Sequence, residues 1–256
     1  MRHRPWRSIT ALALVASLGL AAAGCFNPFR PQVSGQTFVI SPAPVPTTAR
    51  DLIMLFKWCW ENRDIARYKT LFTDDYRFAF AITDSAGNGY RTNPWIRTDE
   101  IISATNLFVG GSATEPAASS ITLLFAGDPL VGPDLRPGMN PKWHQQVQIV
   151  NLTLTINKTD GSATRVNGNA LFYVTRGDSA VIPPELGLGP DSTRWYINRW
   201  EDQTNTGTGA TAAGPTPPAG AGLAAERGAI APTSTAPSPF PVQMSWGMVK
   251  ALWRNP

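Results

Sequence analysis

The sequence contains few residues that bind metals or act as nucleophiles, with two cysteines and two histidines among 256 residues. Cys59 stands between two tryptophans on a predicted helix, where a small apolar residue is expected to be buried. There is no Cys-x-x-Cys pair, and His144 is the only histidine after His3. Metal sites that need several cysteines or histidines are therefore excluded, and a Ser-His-Asp triad would depend on His144 alone. We expect no metal and no cofactor.

The sequence also lacks a concentration of positive charge beyond its first residues. The formal net charge is +4, but residues 1–24 contain Arg2, Arg4 and Arg7 and no acidic residue. Once these three charges are subtracted, the rest of the chain carries +1. No cluster of lysine or arginine with interleaved aromatic residues follows, so nucleic acid is not an expected partner.

No apolar run reaches the roughly 20 residues that a membrane-spanning helix needs. The longest run extends from Ile9 to Ala23, follows the three arginines and ends at Gly24-Cys25. A basic start, a short apolar run and small residues before a cut are typical of a cleaved secretory signal. Residues 1–24 resemble the signal of bacterial lipoproteins. That resemblance implies that Cys25 is acylated, by palmitate or a similar chain, and that the lipid attaches the protein to the membrane.

Two other outcomes remain open for this segment. Ordinary cleavage after the small residues would leave a soluble protein, and an uncleaved segment would anchor the chain. Lipoproteins usually have a leucine-like residue three positions before the cysteine, where this chain has Ala22. Phe26 is not the aspartate that retains some lipoproteins at the inner membrane, which favours the periplasmic side of the outer membrane of the cell envelope.

Composition divides the rest of the chain into four parts. Residues 25–46 are rich in proline and are interpreted as a tether. Residues 47–202 are patterned and aromatic, and have the size of one domain. Residues 203–241 are mostly Gly, Ala, Thr and Pro, which predicts disorder because little apolar surface is available for burial. Residues 242–256 are apolar again and are expected to dock on the domain, with partner binding as the alternative.

Hydrophobic spacing predicts three helices at the start of the domain. Thr48 and Asp51 form a predicted capping box. The helix after them is predicted to bury one face at the i, i+3, i+4, i+7, i+8 spacing of an amphipathic helix. The second helix is predicted to begin at Asp64 and the third to run from about Thr98 to Gly110.

Alternating apolar residues predict strands at 76–80, 121–125, 142–156, 165–176 and 195–200. Within the longest of them, the apolar residues change face after Ile149, which predicts a β-bulge near residues 149 and 150. Gly168 predicts a bend in one continuous strand, rather than a hairpin at Asn167-Gly168. Helices followed by long antiparallel strands predict an α+β domain.

The order of these elements and two motifs resemble a known superfamily. Two short helices lead into "TLFTDDYRFAF" (Thr70–Phe80), and the last strand is "DSTRWYINRWED" (Asp191–Asp202). Residues 47–202 resemble the nuclear transport factor 2-like superfamily, which includes ketosteroid isomerase and SnoaL-like proteins, and the whole chain looks like a lipoprotein branch of it. The resemblance implies a cone-shaped, curved antiparallel sheet covered by about three N-terminal helices. It also implies a pocket that relatives use for catalysis, ligand binding or dimerisation, so a homodimer remains open.

The candidate pocket residues are aromatic or basic side chains: Tyr68, Tyr173, Trp195, Tyr196, Arg199 and Trp200. On a strand, Trp195 and Arg199 share one face while Tyr196 and Trp200 share the other, and the sequence does not choose between them. One interpretation has aromatic walls and Arg199 holding an apolar acid, and the other has a tryptophan core with an ion pair on the strand. Ketosteroid isomerase-like catalysis needs a carboxylate base, a tyrosine and a neutral acid. No such set aligns with this sequence, so no catalytic residue is assigned.

Two functions follow as hypotheses. The first is a lipid-anchored envelope protein whose domain binds a small apolar ligand or a protein partner without catalysis. The second is an isomerase- or cyclase-like enzyme that uses an acid and a tyrosine in the same cone, and a buried acid beside Tyr173 or Tyr196 would support it. A cone filled by its own side chains would argue against both pockets and leave a role in assembly.

Overall fold

The computed structural model describes residues 41–177, 181–204 and 242–254. The predicted signal, Cys25, nearly all of the predicted tether and most of residues 203–241 lie outside these residues. None of the described helices is both long enough and apolar enough to cross a membrane.

In the described part of the chain, four α-helices flank the sheet: α1 (Ala49–Asn62), α2 (Ile65–Tyr68), α3 (Arg97–Thr105) and α4 (Trp246–Arg254). Helix α1 begins as predicted, since the Thr48 hydroxyl accepts a hydrogen bond from the backbone N–H of Asp51 (3.0 Å). It ends at Arg63, whose left-handed φ of 52° turns the chain. Helix α3 continues as one π-helical turn, Asn106–Gly110.

Eight strands among the described residues form one sheet: β1 (Phe72–Ala79), β2 (Trp95–Ile96), β3 (Ala118–Phe125), β4 (Leu130–Pro133), β5 (His144–Lys158), β6 (Ala163–Gly177), β7 (Asp191–Asp202) and β8 (Val242–Met244). The strand order is β2-β1-β7-β6-β5-β3, with β4 also paired to β5 and β8 to β6. The pairs β1–β7 and β6–β8 are parallel, and the others are antiparallel.

The sheet bends where the sequence predicted an extra residue. The register between β5 and β6 shifts between Ile149 and Leu152, and Asn151 has a φ of 52°. Gly168, opposite Leu152, allows Thr204 to approach, because a Cβ at this position would lie 2.8 Å from the Thr204 Cα. The predicted bulge and the continuous bent strand β6 are confirmed.

Strand β1 begins earlier than the sequence pattern predicted. The alternating pattern predicted a strand from residue 76, but Phe72 already pairs with Ile197 of β7. A register shift between Phe72 and Arg77 accommodates the two aspartates. The pairing is parallel and joins distant residues, so local turn propensity did not reveal it.

The core lies between one face of the sheet and helices α1, α3 and α4. Cys59 is fully buried there, and burial raises the pKa of its thiol to about 12. The prediction that Cys59 is buried is therefore confirmed. The curved, mostly antiparallel sheet with its N-terminal helices confirms the predicted α+β class and architecture.

Candidate functional site

A buried carboxylate, Glu100, lies at the centre of the described domain. It is in the first turn of α3, where the neighbouring Asp99 caps the helix by accepting from the backbone N–H of Ile96 (3.1 Å). Glu100 is turned inward and is only 1% exposed. A buried carboxylate is costly unless hydrogen bonds and opposite charge compensate it, so its partners define the site.

Three neutral donors and one cation surround Glu100. The Tyr68 hydroxyl donates to Oε1 (2.6 Å), and the Tyr76 hydroxyl donates to Oε2 (3.2 Å). The Trp95 indole N–H donates to Oε2 (3.1 Å). The ammonium of Lys250, on α4, donates to both oxygens. A carboxylate has about four lone-pair positions, so these groups use its accepting capacity.

Lys250 is as deeply buried as its partner, with a side chain 2% exposed. Its Nζ lies 4.0 Å from the centre of the Trp200 ring and 4.6 Å from that of Phe78, so two aromatic faces also contact the cation. Burial lowers the pKa of Lys250 to about 8, and the Glu100 carboxylate opposes that shift. The ion pair of Glu100 and Lys250 therefore occupies the centre of the domain and is shielded from solvent.

The C-terminal helix α4 is fastened along its length to α3 and to the turn after it. Its carbonyl groups accept from Ser103, Asn106 and Ser112 side chains at 2.8 to 2.9 Å. At the end of the helix, Arg254 pairs with Asp99 (2.6 Å), and the Trp253 indole donates to the Pro116 carbonyl (3.1 Å). Residues 242–254 therefore pack on the domain.

Two buried carboxylates hold the first turn of α4. Asp202 accepts from the backbone N–H of Gly247 (3.0 Å), and Asp84 accepts from the Ser245 hydroxyl. Burial raises the pKa of Asp202, although hydrogen bonds from Thr204 and Gly247 oppose the shift. A side chain at Gly247 would overlap Phe80 and Asp84, which explains why glycine fits here.

Trp246 completes the filling of the interior. Its ring centre lies 5.0 Å from that of Trp60 and 4.8 Å from that of Trp200, at steep interplanar angles of 90° and 70°. Trp200 in turn stacks on Phe172 at 5.0 Å. The part of the cone around Glu100 is thus occupied by side chains of the chain itself.

The structure brings together only two of the six predicted pocket residues. Tyr68 binds Glu100, and Trp200 lies under Lys250 in the same interior. Trp195 is buried further along β7, beneath the guanidinium of Arg176 at 5.2 Å.

The other three predicted residues lie away from Glu100. Arg199 pairs with Glu201 (2.8 Å) and is 39% exposed in its side chain. Tyr173 is half-buried beneath the guanidinium of Arg136 (4.0 Å). Tyr196 is buried, and its hydroxyl has no hydrogen-bond partner among the described residues. Neither of these tyrosines donates to a buried acid in the described part of the chain.

Sequence reasoning missed the residues that make the site: Glu100, Lys250, Tyr76, Trp95 and Trp246. Glu100 looked like an acid that favours a helix N-terminus, as Asp99 does. The available signal was in the C-terminal segment, where Lys250 is the single charged residue between Val242 and Trp253. Trp246, Lys250 and Trp253 have i, i+4, i+7 spacing, which places the lysine on the apolar face.

Tyr68 and Tyr76 are expected to make the stability of the domain fall at high pH. Burial, and after it the Glu100 carboxylate, raises the pKa of Tyr68 and Tyr76 well above 10.0. Because the unfolded chain releases these protons first, their stabilising contribution is complete below about pH 10 and is lost at higher pH. We expect tyrosinate absorbance to show a late step that coincides with loss of near-ultraviolet circular dichroism. The step should shrink in Tyr68→Phe and Tyr76→Phe but not in Tyr173→Phe, and ionisation of all five tyrosines before unfolding would contradict the prediction.

Within residues 41–177, 181–204 and 242–254, no group of three or more His, Cys, Asp or Glu side chains is arranged to hold a metal ion.

Comparison by sequence finds no matching family model and no matching curated protein. Comparison with solved structures finds similar folds. A nuclear transport factor 2-like superfamily protein from Salmonella enterica serovar Typhimurium is 14% identical with a TM-score of 0.40, over 63% of this chain and 92% of that chain.

Two further solved structures show the same level of similarity. An NTF2-like protein with a cystatin-like fold from Novosphingobium aromaticivorans is 13% identical (TM-score 0.35), over 64% of this chain and 84% of its own. ActVI-ORFA from Streptomyces coelicolor is 9% identical (TM-score 0.36), over 60% of this chain and 90% of that chain. At these values the similarity assigns neither a ligand nor a reaction, so function has to be argued from the residues.

Proposed function

We propose that this chain is a lipid-anchored protein of the bacterial cell envelope, attached through acylated Cys25, whose nuclear transport factor 2-like domain is a non-catalytic binding module. The signal-like residues 1–24 and the proline-rich residues after them support the anchor and the tether. Phe26 supports a place on the periplasmic side of the outer membrane. The domain would bind a small apolar ligand or a protein partner at a site outside the interior around Glu100, because the chain's own side chains fill that interior.

One observation supports a non-catalytic role: both carboxylate oxygens of Glu100 already accept hydrogen bonds from buried side chains. A general base needs a free lone pair within hydrogen-bond reach of the substrate. Here Lys250 contacts both carboxylate oxygens, two tyrosines and Trp95 donate to them as well, and all five side chains are buried. With α4 in place, a substrate would have to displace part of the protein before it could reach the acid.

The same cluster favours one second candidate, an isomerase- or cyclase-like enzyme. Glu100 with Tyr68 and Tyr76 combines an acid with hydroxyl donors, which is the chemistry needed to move a proton next to a carbonyl group. That function would require α4 to leave its position, so that the carboxylate loses Lys250 and gains access to a substrate.

Native mass spectrometry of the detergent-extracted protein tests the anchor. Wild type should begin at Cys25 and carry the mass of acyl chains, whereas Cys25→Ser should lack that mass. Cys59→Ala is the matched control, because the second thiol is buried in α1 and should have no effect on acylation. Acyl mass on Cys25→Ser, or its absence from wild type, would contradict lipid attachment.

The same spectra test binding and give the number of subunits. A binding module should retain a small molecule or a partner that is recovered chemically unchanged after incubation. Conversion of the retained molecule would favour the enzyme instead. Recovery of a bare, unbound polypeptide from both membranes and soluble fractions would contradict the binding role and favour a role in assembly.

A further inference from the structure

A cavity of about 640 Å³ lies at one end of the sheet, away from Glu100. It forms where β5 begins, β6 ends and β7 begins, and Trp143, His144, Arg176, Val181 and Pro190 line it. Its volume is in the range of sites that bind small molecules, which combine apolar walls with a few polar groups. Trp143 lines the cavity and is 37% exposed to solvent.

Arg176 is the charged side chain among the described residues that line this cavity, and it contacts two tryptophans. Its guanidinium lies 5.8 Å from the Trp143 ring centre and 5.2 Å from that of Trp195. Contact with two aromatic rings restricts the orientation of the guanidinium before a ligand arrives, which reduces the entropic cost of binding.

Among the described residues, the partners of Arg176 use only part of its hydrogen-bonding capacity. One Nη donates to the Ser192 carbonyl (3.2 Å), and the buried Nε has no partner among the described residues. Within residues 41–177, 181–204 and 242–254, no carboxylate forms an ion pair with it; Asp178 lies outside them. Arg199, which the sequence suggested as the ligand-binding arginine, is instead paired with Glu201.

We propose that this cavity binds an apolar carboxylic acid, whose carboxylate meets Arg176 and whose apolar body lies against Trp143, Val181 and Pro190. The inference depends on the proposed binding function and names its ligand class. Arginine donates to a carboxylate through two parallel N–H groups, so an acid gains a charge-assisted contact that a neutral analogue lacks. His144 also lines the cavity and supplies a second polar group beside the carboxylate.

Calorimetric titration of the full-length protein with naphthoate and with its neutral analogue naphthamide tests this assignment. Naphthoate should bind wild type more tightly than naphthamide. Arg176→Gln should weaken naphthoate binding by about tenfold or more, the size of a lost charged hydrogen bond, and leave naphthamide binding nearly unchanged. Trp143→Leu should weaken both compounds, and it keeps the test informative if Arg176→Gln does not fold.

Arg199→Gln is the matched comparison for the charge. If Arg176 binds the acid, this variant should bind naphthoate with wild-type affinity. If Arg199 on β7 binds the acid instead, this variant should lose naphthoate binding. Equal binding of naphthoate to wild type and to folded Arg176→Gln would overturn the assignment. If naphthoate does not bind wild type but native mass spectra show another retained molecule, the ligand class is wrong and the binding function still holds.

Discussion

Replacement of Lys250 by methionine is expected to lower the free energy of unfolding by about 3–5 kcal/mol, the cost of leaving a buried charge without its partner. Methionine has a similar length and keeps contact with Phe78 and Trp200, so the change removes the charge while the packing is largely kept. Glu100 would then retain its tyrosine and tryptophan donors but lose the cation that contacts both oxygens. Denaturant unfolding of wild type and Lys250→Met at neutral pH measures the difference.

Two further variants show whether the loss comes from the buried pair. Glu100→Gln combined with Lys250→Met removes both charges and should recover most of the lost stability, since well-packed neutral residues often replace a buried pair without net loss. Lys57→Met is the matched control, because the Lys57–Glu61 pair on α1 is partly exposed, with side-chain exposures of 22% and 29%. It should cost no more than about 1 kcal/mol. Equal effects at Lys250 and Lys57 would contradict a structural role for the buried pair.

The sequence revealed the features that depend on neighbouring residues. Three such features are each predicted from a short segment and are present in the structure. They are the Thr48 cap, the buried face of α1 around Cys59 and the bulge after Ile149. In such segments, the spacing of the apolar residues shows which face of the element is buried, because helices repeat every 3.6 residues and strands every two. The order of these helices and strands along the chain then predicts the α+β fold class.

The centre of the domain could not be predicted in the same way. Glu100 and Lys250 are 150 positions apart in the chain. The spacing of Trp246, Lys250 and Trp253 places the lysine on an apolar face, but no local pattern marks Glu100 as its partner. A charged residue is expected at the surface unless its partner is known, and only the docking of α4 brings the two together. The predicted residues Tyr173 and Arg199 have other partners, Arg136 and Glu201. The alternation along a strand separates its two faces but does not say which face lines the interior.

Replacement of Trp246 by alanine should have an effect of similar size, by a different mechanism. Removal of a buried tryptophan side chain typically costs about 3–5 kcal/mol, because apolar contacts are lost and a cavity remains. Trp246 is 1% exposed and lies between Trp60 and Trp200. We expect a matching decrease in the free energy of unfolding, measured by denaturant titration.

Indole should restore part of the stability that Trp246→Ala loses, because it fits the space left between Trp60 and Trp200. A ligand that binds only the folded state at a hundredfold excess over its dissociation constant stabilises by about 2.7 kcal/mol. Trp143→Ala is the matched control, since Trp143 is partly exposed; it should lose about 1 kcal/mol and gain nothing from indole. If indole stabilises both variants equally, or if Trp246→Ala unfolds at the wild-type denaturant concentration, then α4 does not fill the interior in solution. The Glu100 carboxylate would in that case be open to a substrate, and the enzyme would become the better account of the domain.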